Sequence, residues 1–198
     1  MPSESVRIAI RESKKGEQQD EIPKMQDQRT IIEQIAVAFA VAEYPGDECL
    51  RDSNEGDEPY LLEEEFKGKT DWRVLDPAFL DQAPSGYATA LCFFSEKAFR
   101  FFLPAYMLAD IRGQLKHSDP VFNLTHGLDD ASRDKLINPR RYGRRTWFEY
   151  VGHKFSIFSR DEAAAIVAYL MFRRESDDYY RDHIDQALKN YWNERAKA

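Results

Sequence analysis

The sequence predicts a mainly α-helical protein, and three segments carry that prediction. Residues 28–43 repeat apolar side chains at helical spacing. Residues 91–107 hold five phenylalanines and one tyrosine, more than one face of a helix can carry, which indicates a helix buried on several sides. Residues 159–192 combine a helix-start motif with two apolar stripes. We therefore expect a compact single domain of five to seven helices, with or without one small β-hairpin near residues 147–158.

The length of 198 residues is that of one domain and a tail. We assign residues 1–24 to a flexible leader because they are polar, apart from a short alternation at Val6–Ile10 that could form an edge strand. Residues 25–198 are assigned to one helical domain. The sequence shows no apolar signal segment and no run of about 18 apolar residues, so we expect a cytoplasmic protein without a membrane span.

Start and stop signals place the first helices. The turn Tyr44-Pro45-Gly46-Asp47 should end the helix of residues 28–43. Residues 61–66 are predicted to form a short helix or strand. Asp76 followed by Pro77 predicts another short helix, because an aspartate can accept hydrogen bonds from free amides and a proline suits the first helical position.

The central helix should begin after Ser95, a good N-cap residue, and end at Gly113. Pro104 lies within it and lacks the amide that would bond to Arg100, so the helix should kink or restart there. A further short helix is predicted over residues 128–137, with acidic residues at its start.

The clearest prediction concerns the last two helices. Ser159 and Glu162 form a capping box, in which each side chain satisfies a free backbone amide of the other. A break is expected near Ser176. Because the connection is short, the two helices should pack antiparallel, with these side chains between them: Ile166, Leu170, Ile184 and Leu188.

Charge is distributed unevenly along the chain, whose net charge is −7. Residues 47–65 hold nine acidic residues and one arginine, whereas residues 133–145 hold six basic residues and one aspartate. The overall acidity argues against a dedicated nucleic-acid binder, since such binding depends on phosphate neutralisation. It leaves room for a local site that binds anions.

Motifs for common chemistry are absent from the sequence. Asp52, Asn54 and Glu63 have the spacing of calcium ligands in a helix–loop–helix site, but Gly56 falls one position early for the required turn. The four histidines never pair at metal-ligand spacing, and the two cysteines, Cys49 and Cys92, suggest indifferent thiols. We expect no metal and no cofactor.

The basic stretch is the best candidate site, and its residues are Arg140, Arg141, Arg144, Arg145 and Trp147. Guanidinium groups bind carboxylates and phosphates bidentately, and an aromatic ring beside them can anchor a partner. An acidic protein partner is therefore favoured over a nucleotide or RNA. The simpler alternative is a solvated loop that pairs with the chain's own acidic segment.

Several further pieces resemble a family of small bacterial proteins of unknown function. They are Tyr44-Pro45-Gly46-Asp47, Phe66-Lys-Gly-Lys-x-x-Trp72, Phe93-Phe94-Ser95, Ala98-Phe99-Arg100-Phe-x-Leu103-Pro104-Ala105-Tyr106-Met107 and Phe158-Ser159 leading into Glu162. The resemblance covers about residues 28–195. It implies a soluble bacterial domain, and it implies no reaction and no catalytic residue.

Two classes of function stay open at this point. We expect a protein-interaction module of the regulatory or immunity type, since the chain is acidic, rich in aromatic residues and without catalytic motifs. The alternative is an enzyme whose site is assembled from separated segments near Pro104, for example by Arg100, Tyr106 and His126. A deep polar pocket would favour the enzyme, and an exposed aromatic patch beside a charged face would favour the binding module.

Overall fold

The computed structural model describes residues 27–198 and confirms a mainly helical, compact single domain. Within this range no β-strand forms, and the extended pairings are two isolated bridges, Arg51–Phe94 and Leu136–Thr146. The leader expected at residues 1–24, with its Val6–Ile10 segment, lies outside the described residues. The helices of the described range, in chain order, are α1 (Gln28–Ala38), α2 (Glu58–Phe66), α3 (Pro77–Gln82), α4 (Ala90–Phe93), α5 (Glu96–Ile111), α6 (Pro120–Thr125), α7 (Pro139–Tyr142), α8 (Trp147–Phe155), α9 (Arg160–Ser176), α10 (Arg181–Ala187) and α11 (Asn193–Arg195).

Helix α5 forms the centre of the core, as its sequence predicts. The hydroxyl of Ser95 accepts a hydrogen bond from the amide of Ala98 at 3.1 Å and caps its start. The ring of Phe102, fully buried, contacts the rings of Phe66 and Phe94 at centroid distances of 4.9 and 5.0 Å. Aromatic pairs at such distances add to the stability that burial itself provides.

Pro104 does not interrupt α5, which continues from Glu96 to Ile111 without a restart. The helix ends as predicted at Gly113, whose φ of 67° is a left-handed conformation that glycine adopts without strain. The next amide, that of Gln114, donates to the carbonyl oxygen of Ala109 at 2.9 Å and completes the helix end.

Helices α9 and α10 are separate and antiparallel, which confirms the predicted break at Ser176. Near the end of α9, Arg174 pairs with Asp185 of α10. Near its start, Arg195 donates to the carbonyl oxygen of Phe158. The four predicted side chains are all buried: Ile166, Leu170, Ile184 and Leu188. A π-helical turn (Leu188–Trp192) continues α10 into α11.

A buried ion pair joins α5 to α9. The Nε of Arg100 donates to both carboxylate oxygens of Glu162, at 2.9 and 3.0 Å, and the Glu162 side chain has no exposed surface. Glu162 also accepts from the amide of Ser159 at 2.7 Å, which completes the predicted capping box. One carboxylate therefore caps α9 and neutralises a charge of α5.

Three elements differ in extent from the prediction. Helix α1 ends at Ala38 rather than at residue 43, and the segment predicted as a helix or a strand over residues 61–66 is a helix that begins earlier, at Glu58. Residues 128–137 hold only a short 3₁₀ turn, Asp130–Arg133, whose start is capped by Asp129. Side-chain capping thus sets the start of this turn as expected, but the helix does not continue.

The β-hairpin allowed for residues 147–158 is wrong, because this segment forms α8. Thr146 and Glu149 make a capping box there, with the amide of Glu149 donating to the Thr146 hydroxyl at 3.2 Å. Val151 and Phe155, four residues apart, are the side chains that α8 buries in the core. Gly152 lies within the helix, and its carbonyl oxygen accepts a hydrogen bond from the hydroxyl of Tyr191 at 3.1 Å.

Candidate binding cleft

The predicted basic site lies on a closed surface loop, residues 135–147, which we call the basic loop. Its two ends pair: the amide of Ile137 donates to the carbonyl oxygen of Arg145 at 3.1 Å, and the amide of Trp147 donates to that of Lys135 at 2.9 Å. Inside the loop, Asn138 caps the single turn of α7. These backbone bonds hold the loop in one shape, although little of it is buried.

The four arginines of this loop are exposed. Within residues 27–198, Arg140, Arg144 and Arg145 have no carboxylate oxygen within 4 Å of their guanidinium nitrogens. Arg141 differs, since its Nη1 lies 2.7 Å from Oε2 of Glu55. The alternative of pairing with the chain's own acidic segment therefore describes Arg141, whereas three neighbouring arginines face solvent.

A cleft of about 370 Å³ lies on the inner side of the basic loop. Trp147, the aromatic member of the predicted site, lines it together with Ile137 and Tyr142 of the same loop. The opposite walls come from α6 and α8. The lining side chains from those walls and from α4 are Phe122, Asn123, His126, Tyr150, Val151, Lys154, Phe155 and Cys92. The volume lies in the range of sites for small ligands.

Aromatic rings form a continuous series along this cleft. His126 stacks on Phe122 at a centroid distance of 4.9 Å and meets Trp147 edge-on at 5.0 Å. Tyr150 then lies edge-on to Trp147 at 6.4 Å and to Tyr142 at 5.5 Å. Because each ring is in contact with the next, the series presents several faces and edges to the cleft in a fixed arrangement.

Lys154 is the charged side chain of the cleft lining. Its Nζ lies 4.6 Å from the ring centroid of buried Phe99, a cation–π contact. Among the described residues it makes no ion pair and no side-chain hydrogen bond. Burial lowers the pKa of Lys154, and the nearby negative charge of Asp52 partly opposes that effect.

Two other ionisable groups of the lining are also perturbed. Burial raises the pKa of Tyr150, and its hydroxyl donates to Oδ2 of Asp52 at 3.2 Å, so the ring position is tied to the acidic segment. Burial lowers the pKa of His126, which keeps its imidazole neutral at pH 7. The cleft lining thus combines aromatic rings with an imidazole, two phenol groups and one basic amine.

The side chain of Cys92 is exposed and lines the cleft. Its sulfur lies 3.6 Å from Oδ1 of Asn123, as a weak donor. Although the residue is exposed, partial desolvation of its sulfur raises the pKa of Cys92, so its surroundings are consistent with the expected indifferent thiol. Cys49 is likewise a free thiol.

The residues named for an enzyme near Pro104 lie in different places. His126 lines the aromatic cleft, whereas Arg100 pairs with Glu162 and lines another cleft of about 350 Å³, with Lys97 and Tyr44. Tyr106 is fully buried, and its hydroxyl has no hydrogen-bond partner among the described residues. None of the clefts described here brings these three side chains together.

Sequence reasoning missed the contribution of α8 because it read this segment as strands. Trp147, Tyr150, Val151 and Lys154 recur at helical spacing, which is the signal that a helix would place them on one side. The contribution of Phe122 and His126 carried no such signal. They reach Trp147 only through the packing of α6, which is distant in sequence.

No group of three or more cysteine, histidine or acidic side chains within residues 27–198 is arranged to hold a metal ion. In the same range, every helix is too short or too polar to cross a membrane.

The model of a family of unknown function matches residues 27–196 of this chain. Neither the curated proteins nor the solved structures include a significant match to this chain.

Proposed function

The chain belongs to the family of unknown function DUF6714, and we propose that it is a protein-interaction module that binds an acidic partner through the basic loop and the aromatic cleft. The observation that carries the proposal is the shared position of the two features. The outer side of residues 135–147 presents arginines, and its inner side supplies one wall of the cleft.

The aromatic cleft supplies what an interface needs at its centre. Trp147 is partly buried, and Tyr142 and Tyr150 lie beside it, so a partner side chain could bury apolar area without large rearrangement. Tryptophan, tyrosine and arginine are the residues that most often dominate binding energy in interfaces. The rings also touch one another, which limits the entropy lost on binding.

The arginines supply selectivity and attraction. Arg140, Arg144 and Arg145 have no ion pair among the described residues, so their guanidinium groups are free to meet carboxylates. Opposite charge on a partner would speed association and disfavour basic partners. The module would act in the bacterial cytoplasm as a regulatory or immunity-type protein, a role in which partner capture is the activity.

Peptide selection tests the proposal without a known partner. A library of random displayed dodecapeptides is selected against the full-length chain and then against the variant Arg140→Ala/Arg144→Ala/Arg145→Ala. We expect the wild-type selection to enrich acidic residues around an aromatic or long aliphatic residue. The triple variant should bind the enriched peptides at least about tenfold more weakly.

Two control variants separate a specific site from general charge. Arg160→Ala removes an exposed arginine at the start of α9, outside the basic loop, and should leave binding unchanged. Trp147→Ala should weaken binding while the arginines remain. Enrichment without an acidic bias, or equal binding by wild type and triple variant, would refute the proposal.

A further inference from the structure

We propose that the aromatic cleft is a binding site for a small planar aromatic carboxylate, with the ring among the aromatic side chains and the carboxylate on Lys154. This inference goes beyond the proposed function, because it concerns a small ligand and does not depend on the arginines. It rests on the shape of the cleft, on the chemistry of its walls and on one charge.

The first observation is the charge of Lys154. An ammonium group that loses part of its hydration needs compensation, and lysines in such positions are normally paired. Lys154 lines the cleft, yet within residues 27–198 no carboxylate oxygen lies within 4 Å of its Nζ. The contact with Phe99 and the nearby negative charges of Asp52 and Glu96, neither of which pairs directly with this ammonium group, compensate only part of that loss. An anion in the cleft would supply the remaining partner.

The second observation is the aromatic character of the cleft walls. Rings cover the cleft from Phe122 through His126 and Trp147 to Tyr150, with centroid distances of 4.9 to 6.4 Å between successive members. A flat ring can stack on or meet such faces edge-on, whereas a flexible aliphatic chain loses more entropy for the same area. Asn123 and His126 add polar edges beside the rings.

Size and charge of the walls narrow the ligand class. The volume of about 370 Å³ accommodates one or two fused rings with a small substituent, and it is too small for a large cofactor. A cationic ligand is disfavoured by Lys154, and a neutral aromatic ligand leaves that ammonium unpaired. An aromatic ring that carries a carboxylate would both pack against the aromatic walls and pair with the ammonium group.

The test uses naphthalene-2-carboxylate and its neutral isostere naphthalene-2-carboxamide, titrated by calorimetry into the full-length protein at pH 7. We expect the carboxylate to bind at least about tenfold more tightly than the carboxamide, because only the carboxylate can pair with the ammonium. Lys154→Met should remove that preference, and Lys67→Met, at an exposed lysine distant in sequence, should keep it.

Affinity should also depend on pH. Binding of the carboxylate should weaken as pH rises through the lowered pKa of Lys154, whereas binding of the carboxamide should not change. If Lys154→Met fails to fold, the ligand pair on the wild-type protein still decides the question. Equal affinity for the two compounds, or no binding of the carboxylate at about 1 mM, overturns the inference. Failure of the peptide selection would leave this result unaffected, and the reverse also holds.

Discussion

Arg141 and Glu55 join the basic loop to the acidic segment, with 2.7 Å between Nη1 and Oε2. Both side chains are largely exposed, so this pair contributes little to the stability of the fold. The pair instead affects the availability of Arg141 for binding. It holds one of four arginines on the chain's own carboxylate, and a partner's carboxylate must compete with Glu55 for that guanidinium.

Release of Arg141 should therefore strengthen binding of an acidic peptide. We expect Glu55→Ala to raise affinity for an enriched acidic peptide by a factor of about two to five, the effect of one exposed charge pair. Glu64→Ala, an exposed acidic residue of the same segment, provides the control. Calorimetry of both variants measures the difference, and an unchanged or weaker affinity for Glu55→Ala would show that the pair does not compete with the partner.

The core prediction concerns Phe102. Because this ring is fully buried between Phe66 and Phe94, Phe102→Ala should lower the free energy of unfolding by roughly 3–5 kcal/mol. Val37→Ala, at a side chain 76% exposed on α1, should change it by less than about 0.5 kcal/mol. Urea unfolding followed by circular dichroism gives both values. A loss below about 1 kcal/mol for Phe102→Ala would place the core elsewhere.

Asp81 should make the free energy of unfolding depend on pH in the acidic range. Its buried carboxylate accepts backbone amides of Lys116, His117 and Ser118 at 2.8 to 3.0 Å. Burial alone would raise the pKa of Asp81, but these hydrogen bonds together hold it below its usual value. The stabilisation is therefore present above the unfolded-state pKa of about 3.9 and is lost as pH falls through the lower folded-state pKa.

Comparison of Asp81→Asn with wild type isolates this contribution. At pH 7 we expect the variant to be less stable by roughly 1–3 kcal/mol, the range for hydrogen bonds to a charged group. The gap should narrow when unfolding is measured at progressively lower pH below about 4, since the wild-type carboxylate then gains its proton. A gap that stays constant with pH would mean that the charge of Asp81 contributes nothing. Asp134→Asn, at an exposed aspartate, serves as control.

Gly127 connects α6 to the base of the cleft and should not tolerate a side chain. Its φ is +84°, and an added Cβ would lie 2.8 Å from Cγ2 of Val151 in α8. Gly127→Ala should lose roughly 1–3 kcal/mol and weaken naphthalene-2-carboxylate binding, because it pushes α8 away. Gly68→Ala shares the positive φ but meets nothing within 4 Å. Equal losses in the two variants would show that backbone strain, and not the contact with Val151, is responsible.

Local signals in the sequence were sufficient for the helices whose starts are capped by side chains. Ser95, Asp76 and the Ser159–Glu162 box each begin a helix as expected. The same rule identifies α8 from Thr146 and Glu149, but Gly152 and the aromatic residues around it favour a hairpin on local pattern alone. Glycine within a helix costs about 1 kcal/mol, which the packing of Val151 and Phe155 offsets.

The cleft could not be predicted because it depends on long-range packing. The charge pattern identified the basic loop and Trp147 directly. The contact of His126 with Trp147, and the position of Lys154 over Phe99, join segments between 21 and 55 residues apart. No periodicity or motif specifies such contacts. The charge pattern predicted that the basic loop could pair with the acidic segment, but it could not show that Arg141, among the four arginines, would pair with Glu55.

A double-variant cycle measures whether the basic loop and the aromatic cleft form one binding surface. The ligand is a blocked pentapeptide with a central phenylalanine between glutamates. Calorimetry measures its affinity for four proteins: wild type, Trp147→Ala, Arg144→Ala/Arg145→Ala and the combined variant. The salt concentration is kept at about 50 mM, so that charge pairs are only weakly screened. We predict that each change weakens binding at least about fivefold and that the combined loss departs from the sum of the two free energies by at least about 0.5 kcal/mol, since both sites contact one ligand. Binding that is unaffected by either change, or losses of binding free energy that are strictly additive, would show that the basic loop and the aromatic cleft do not act as one binding surface.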